Sequence, residues 1–110
     1  AFVPDRGQLI WLTFNPRPGM NSPVGALHSS FASDLNGKAG LVLVCPVTSH
    51  QKGYPFEVLL PSGLPVSGVV LADQLRSLDW RAREAALICR APDPVVAEAL
   101  AKASALLQAP

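Results

Sequence analysis

The chain is short of charge. Only 15% of its 110 residues are Asp, Glu, Lys or Arg, and nine basic against eight acidic side chains leave a formal charge of +1. That balance excludes a globally basic nucleic-acid-binding surface, so any basic footprint has to be local. Cysteine is scarce too: Cys45 and Cys89 each sit inside an apolar stretch, and neither belongs to a CxxC pair. This excludes a disulfide framework and the usual structural zinc motifs, leaving two buried free thiols in a reducing compartment as the expectation. His28 and His50 have no partners at metal-ligand spacing, so neither a metal nor a cofactor is expected. No run approaches the roughly 18 apolar residues of a membrane span, and AFVPDRG has no basic region followed by an apolar core. The expectation is a cytoplasmic protein with no membrane association.

What the chain does have is apolar residues, 49% of the total, with a mean hydropathy of +0.28 in 11.6 kDa. That length supports one domain with one core. For so small a body the apolar share predicts that a partner subunit covers part of the surface.

Gly7 to Asn15 alternates with large residues on both faces and predicts a strand ended by Pro16 and Pro18. Leu41 to Val47, opened by Gly37 and Gly40, is a continuous apolar run that suits a strand buried on both sides. SHQKGYP then reads as a polar turn leading into a strand at Phe56 to Leu60, the two strands forming a hairpin. Ser67 to Ala72 is the next β-branched run, and Ala82 to Arg90 is apolar enough for a strand or a helix. APDPVVAEALAKASALLQ resolves that choice. It predicts a helix with Asp93 as cap, Pro94 at the first helical position, and Val96, Leu100, Ala103 and Leu107 on one face. The preceding segment is therefore a separate strand. Five or six short strands followed by a C-terminal helix predict a mainly β fold, a small, strongly curved sheet or partly open barrel with the helix packed on it.

Three segments are more specific. LIWLTFNPRPG, CPVTSHQKGYPFEV and SGVVLADQLRSLDWRAR, in this order and spacing, closely resemble the MazF/PemK-type toxins, the endoribonucleases of bacterial toxin–antitoxin pairs. The resemblance covers about three-quarters of the chain. It implies a small SH3-like barrel of the MazF/PemK/CcdB type that forms a homodimer and is neutralised by a MazE-like antitoxin whose disordered acidic tail lies across the RNA site. It also implies metal-independent cleavage of single-stranded RNA, in which the ribose 2′-hydroxyl attacks the neighbouring phosphate and leaves 2′,3′-cyclic phosphate and 5′-hydroxyl ends. Such chemistry needs proton transfer, neutralisation of charge on the phosphorane, and polar groups that splay the bases.

The family places the first two tasks on one threonine and one arginine. The threonine is Thr48 in CPVTS, where its hydroxyl would donate to a non-bridging phosphate oxygen. Lys52 is a candidate phosphate contact, with Asn15 and Ser49 as further RNA contacts, and Tyr54 or Phe14 are candidates to stack a base. Tyr54 and Phe56 fit equally well as barrel packing. Gln74 and Arg76 suit base-edge or backbone contacts, or a solvated turn. Trp80, Arg81 and Arg83 read either as a basic RNA cluster or as structural partners of Asp79, Glu84 or Asp73.

The arginine is missing. None occurs between Arg17 and Arg76, where the family segment has the form G-(S/H)-E-Q-x-G-x-R-P-A-L-V-L-S. That interval instead holds GMNSPVGALHSSFASDLNG, residues 19 to 37, which follows neither helix nor strand period and is long for a structureless loop in a small domain. Read one nucleotide earlier, with permitted synonymous codons, every position from Met20 to Phe31 admits the residue that turns GMNSPVGALHSSF into GHEQSGRRPALVL. Residues 20 to about 35 thus read as an out-of-frame translation. The RRP arginine would fall at the position of Ala26, and PALVL would supply a sheet strand. The alternative is a frameshifted, inactive relative that lacks the arginine and one strand and keeps only antitoxin or dimer binding. Intact-mass measurement with peptide mapping across residues 19 to 37 separates the two. Peptides reading HEQSGRRPALVL are expected, whereas a mass equal to that of the written sequence would establish a chain without the arginine.

Overall fold

The computed structural model describes residues 4–14, 24–30 and 40–108, with side chains described for 4–13 and 40–108. Seven strands and one α-helix are present among them: β1 (Gln8–Phe14), β2 (Val24–Ser30), β3 (Leu41–Thr48), β4 (Glu57–Leu59), β5 (Val69–Leu71), β6 (Arg76–Asp79), β7 (Ala86–Arg90) and α1 (Asp93–Ala105). The sheet order is β4-β5-β3-β2-β1-β7, and β6 pairs with β3 as well.

β3 organises the sheet. Leu41 to Val44 pair antiparallel with β6, whereas Val47 and Thr48 pair with β5. Between them lies Pro46, which has no N–H to give to a ladder and therefore suits the point where one partner gives way to the next. The expected hairpin of β3 with the Phe56–Leu60 strand is not formed. β4 pairs with β5, and β5 lies between it and β3. The apolar run 41–47 correctly marked a strand with many neighbours, but apolarity alone does not say which neighbours they are. The Arg76–Asp79 strand was hidden for the opposite reason: RSLD has one apolar side chain and two faces that look solvated.

The segment without period is also corrected in part. Val24–Ser30 is a strand, matched to β1 from Leu9↔Ser29 to Phe14↔Val24 and to β3 through His28↔Pro46, Ser29↔Cys45 and Ser30↔Val44. The open ladder edges of β1 and β3 impose extended pairing where local pattern gives none, so the sheet does not lack the strand that the inactive alternative would have lost. The positions flanking it, 15–23 and 31–39, lie outside the described residues, as does the expected role of Gly37.

Parts of both faces of the sheet are buried, which explains the large residues on both sides of β1, but Trp11, Leu41 and Leu43 are exposed, so β3 is not buried on both sides along its whole length as its apolar run suggests. Leu9, Cys45, Val58, Leu60, Val70 and Ala72 pack with Ala91, Val95 and Ala99 under α1. Ile10, Leu12, Val42 and Val44 pack around Trp80 on the other side. α1 begins one residue earlier than expected relative to its cap: Pro92 holds the cap position, Asp93 and Pro94 lie in the first turn, and no side chain caps it. Its buried stripe is Val95, Ala99 and Ala103, with Val96 and Leu100 partly buried. Leu107 lies past the helix end and is 81% exposed.

Gly68, just before β5, has φ +129°, and a Cβ there would stand 2.2 Å from the carbonyl oxygen of Thr48. Gly53 has φ +81° with open space around it. Gly68→Ala should therefore cost about 2–3 kcal/mol and Gly53→Ala about 1 kcal/mol, as read by denaturant unfolding. Equal losses would contradict the close approach at Thr48.

Candidate nucleic-acid interface

A groove of about 580 Å³ opens at the end of β3, lined by Thr48, His50, Lys52, Tyr54, Phe56, Glu57, Leu71, Asp73 and Gln74. Local bonds shape its rim. The Thr48 hydroxyl oxygen accepts the backbone N–H of His50 at 3.2 Å, a short side-chain turn of the kind serine and threonine favour. With its oxygen engaged as acceptor, the hydroxyl proton remains available to donate. Gln51 N–H donates to Ser49 C=O at 3.2 Å, and Glu57 N–H donates to Tyr54 C=O at 3.1 Å. The latter closes a β-turn with Pro55 at its second position, where the ring's fixed φ is an advantage. Ala72 N–H donates to Phe56 C=O at 3.2 Å and fastens this turn to the 3-10 turn Ala72–Gln74.

Tyr54 is half exposed and leans on Phe56, their ring centroids 5.3 Å apart and tilted by 36°. Packing and an outward ring face thus coexist in Tyr54. The groove is electrostatically mixed, with Lys52 and His50 near Glu57 and Asp73. One oxygen of Asp73, Oδ1, is enclosed without a hydrogen-bond partner. Beneath the groove, Cys45 is fully buried, its Sγ 3.9 Å from the Ala72 carbonyl. Burial, and secondarily the Asp73 carboxylate, push its thiol up to about 12, because both disfavour a thiolate.

Of the residues expected from sequence, the structure brings Thr48, Lys52, Tyr54 and Gln74 together. Ser49 is exposed beside Thr48, and Arg76 is exposed on β6 opposite Val44, but neither lines the groove. Phe14 ends β1 with its side chain outside the described residues, and Asn15 lies outside them altogether. The position of Ala26 is on β2, paired with Leu12. His50, Glu57 and Asp73 were not singled out as site residues, although all three lie in the segments that carry the family resemblance. Their signal was adjacency to Thr48, Lys52 and Gln74.

The DWRAR segment resolves toward structure. Trp80 is 6% exposed in the second core, so it is not an RNA-stacking surface. The Arg81 guanidinium lies 5.0 Å from the Trp80 ring centroid, a cation–π contact. Asp79 Oδ1 accepts the backbone N–H groups of Arg81 and Ala82, each at 3.0 Å. The Arg83 carbonyl accepts Thr13 N–H at 2.7 Å and ties the turn to β1. Asp79 thus serves the backbone of the turn, a role that charge spacing alone does not reveal.

Comparison with known proteins places this geometry. The description "PemK-like, MazF-like toxin of type II toxin-antitoxin system" matches residues 5–107. The endoribonuclease toxin MazF of Escherichia coli K12 is 46% identical over 86 residues, 76% of each chain. The endoribonuclease toxin ChpB of the same organism is 31% identical over 94% of each. Among solved structures, a MazE–MazF crystal structure from Deinococcus radiodurans aligns with a TM-score of 0.89 and 50% identity, covering 96% of this chain and 97% of that one. A mycobacterial endoribonuclease in complex with its antitoxin aligns at 0.76 with 17% identity over 97% of each, a likeness of fold.

The raised Cys45 thiol has two consequences. Its folded pKa lies above the ordinary value of 9.0, so its contribution to stability is complete below about pH 9 and is lost as pH rises toward 12. In native protein at pH 8, iodoacetamide should modify the partly exposed Cys89 before the buried Cys45, as followed by peptide mass. Rapid modification of Cys45 would contradict its burial.

Proposed function

Because the chain belongs to the PemK-like, MazF-like toxins of type II toxin–antitoxin systems, we propose that its groove at Thr48 performs the cleavage. The chain is an endoribonuclease toxin with a MazE-like antitoxin as partner. The finer reading is metal-independent cleavage of single-stranded RNA in the cytoplasm: the 2′-hydroxyl attacks the adjacent phosphorus, the bond to the 5′-oxygen breaks, and a 2′,3′-cyclic phosphate and a 5′-hydroxyl remain.

The observation that carries this reading is the local turn at Thr48. Its oxygen accepts from His50 N–H, which leaves its proton available for an external acceptor, and a non-bridging phosphate oxygen gaining charge in the transition state is such an acceptor. Lys52 supplies a positive charge to a phosphate on the same groove wall, Tyr54 offers a ring face to a base, and Gln74 offers both a donor and an acceptor to a base edge. Ser49 and Arg76 extend the path of the RNA strand beyond the groove, and the family resemblance assigns Phe14 and Asn15 to RNA contact as well. The family arginine belongs at the position of Ala26 on β2, and in the restored frame that position carries it. A second copy of the chain covers exposed apolar side chains such as Leu41 and Leu43 on β3, as expected for a homodimer.

Thr48→Val preserves shape and removes the donor. It should lower the cleavage rate about 10²–10³-fold while RNA affinity stays within about twofold. The wild-type rate should be unchanged by EDTA, and the products should carry cyclic phosphate by mass spectrometry. Lys52→Ala should weaken binding across sequences and reduce the salt slope by about 1. A Thr48→Val protein with undiminished cleavage would overturn the assignment.

A further inference from the structure

Glu57 is the one buried charged residue among the described side chains, 8% exposed, and the cleavage chemistry above makes no use of it. A carboxylate so placed needs donors close by. Its Oε2 accepts Lys52 N–H at 3.0 Å and its Oε1 accepts Gly53 N–H at 2.9 Å. Its own N–H donates to Tyr54 C=O at 3.1 Å. One residue therefore holds three consecutive loop residues, two of which carry the proposed RNA contacts.

Glu57 is itself held from the opposite side. Lys102 on α1 donates from Nζ to the Glu57 carbonyl at 2.8 Å and pairs with Glu98 Oε2 at 2.9 Å. A continuous set of contacts thus runs from the C-terminal helix through the first residue of β4 to the groove rim. Charge-assisted bonds to backbone N–H groups are short and strong, and Gly53, at φ +81° with open space around it, has no side chain of its own to fix the loop. The Glu57 carboxylate also occupies the two loop amides that would otherwise attract a phosphate, which leaves the Lys52 ammonium as the anion contact of this loop.

We propose that Glu57 is the positioning residue of the groove, fixing Lys52 and Tyr54 where they meet RNA, with Lys102 clamping it from the helix. The proposal rests on Lys52 and Tyr54 being RNA contacts. Glu57→Gln is the sharpest variant, because it keeps the shape but loses the charge and turns an amide NH2 toward one of the two backbone donors.

The test uses the full chain and a short random-sequence pool of single-stranded RNA, 2′-O-methylated for affinity and unmodified for kcat and KM. Glu57→Gln should speed hydrogen exchange at the Lys52 and Gly53 amides, and should raise both Kd and KM about tenfold with kcat changed less than about twofold. Lys102→Met should move the same readouts less, and Lys102→Arg should restore them. In a Lys52→Ala, Tyr54→Ala background, Glu57→Gln should add no further loss of affinity, since it acts through those side chains. An undiminished effect in that background, or wild-type affinity in folded Glu57→Gln, overturns the positioning role. Wild-type affinity of the Lys52→Ala, Tyr54→Ala protein instead overturns the reading of the contacts, and the role with it. If Glu57→Gln does not fold, Glu57→Asp, which keeps the charge but draws the carboxylate back from the Lys52 and Gly53 amides, takes its place with the same expected and overturning results. Lys102→Met and Lys102→Arg, which leave the carboxylate and its two amide bonds in place, test the clamp alone. Equal affinity in these two variants and the wild type refutes the clamp.

Discussion

A strand has two edges, and β3 has three partners. It satisfies them by dividing one edge between β6 at Leu41–Val44 and β5 at Val47–Thr48 while β2 takes the other. The partner changes around Pro46, and the sheet packs under α1 on one face and around Trp80 on the other. The division also brings the end of β3 out beside the 3-10 turn that follows β5. Thr48 thus stands at a groove because the strand beneath it is shared. The close approach of Gly68 to the Thr48 carbonyl is part of the same constraint, since any side chain at 68 would push β5 away from Thr48.

The groove does not depend on a strongly basic surface. A chain of net charge +1 places Lys52 and His50 against Glu57 and Asp73, and the Glu57 charge is taken up by backbone amides rather than left facing the RNA path. On the proposed reading, attraction for the phosphate backbone is modest and local. On that reading discrimination comes from shape, stacking and base edges, as in recognition of unpaired RNA.

Much of this was legible in the sequence, and the remainder was hidden for identifiable reasons. The helix, β1 and β3 each carried a local signal, namely period, apolar run, or a proline near a helix start, whereas the last strand, apolar enough for a strand or a helix, was set apart only by the helix that follows it. Strand partners carried none, so the β3–β4 hairpin was a natural but incorrect expectation from proximity in sequence. β2 had no signal because VGALHSS lacks alternation and is held extended by neighbours on both sides. Of the residues that line the groove, Thr48, Lys52, Tyr54 and Gln74 are candidates that the family segments already offer. Glu57 lies inside KGYPFEV, but nothing in a string of letters shows that its carboxylate faces the amides four and five residues before it. Trp80 showed the opposite failing: arginines on its C-terminal side suggested a surface, whereas its size suits the core around β1 and β3.

The loop from Ser49 to Phe56 is fastened almost wholly through its main chain. Apart from the Thr48 hydroxyl and the Glu57 carboxylate, the bonds that fix it join backbone N–H and C=O groups. The scaffold therefore prescribes the residue type at few positions: Thr48, Gly53, Pro55 and Glu57. The side chains of Ser49, His50, Gln51 and Lys52 are not needed to hold the loop's path, so they can be exchanged during evolution at little cost in folding. Such a division leaves the rim's side chains free to vary on a main chain whose path stays fixed.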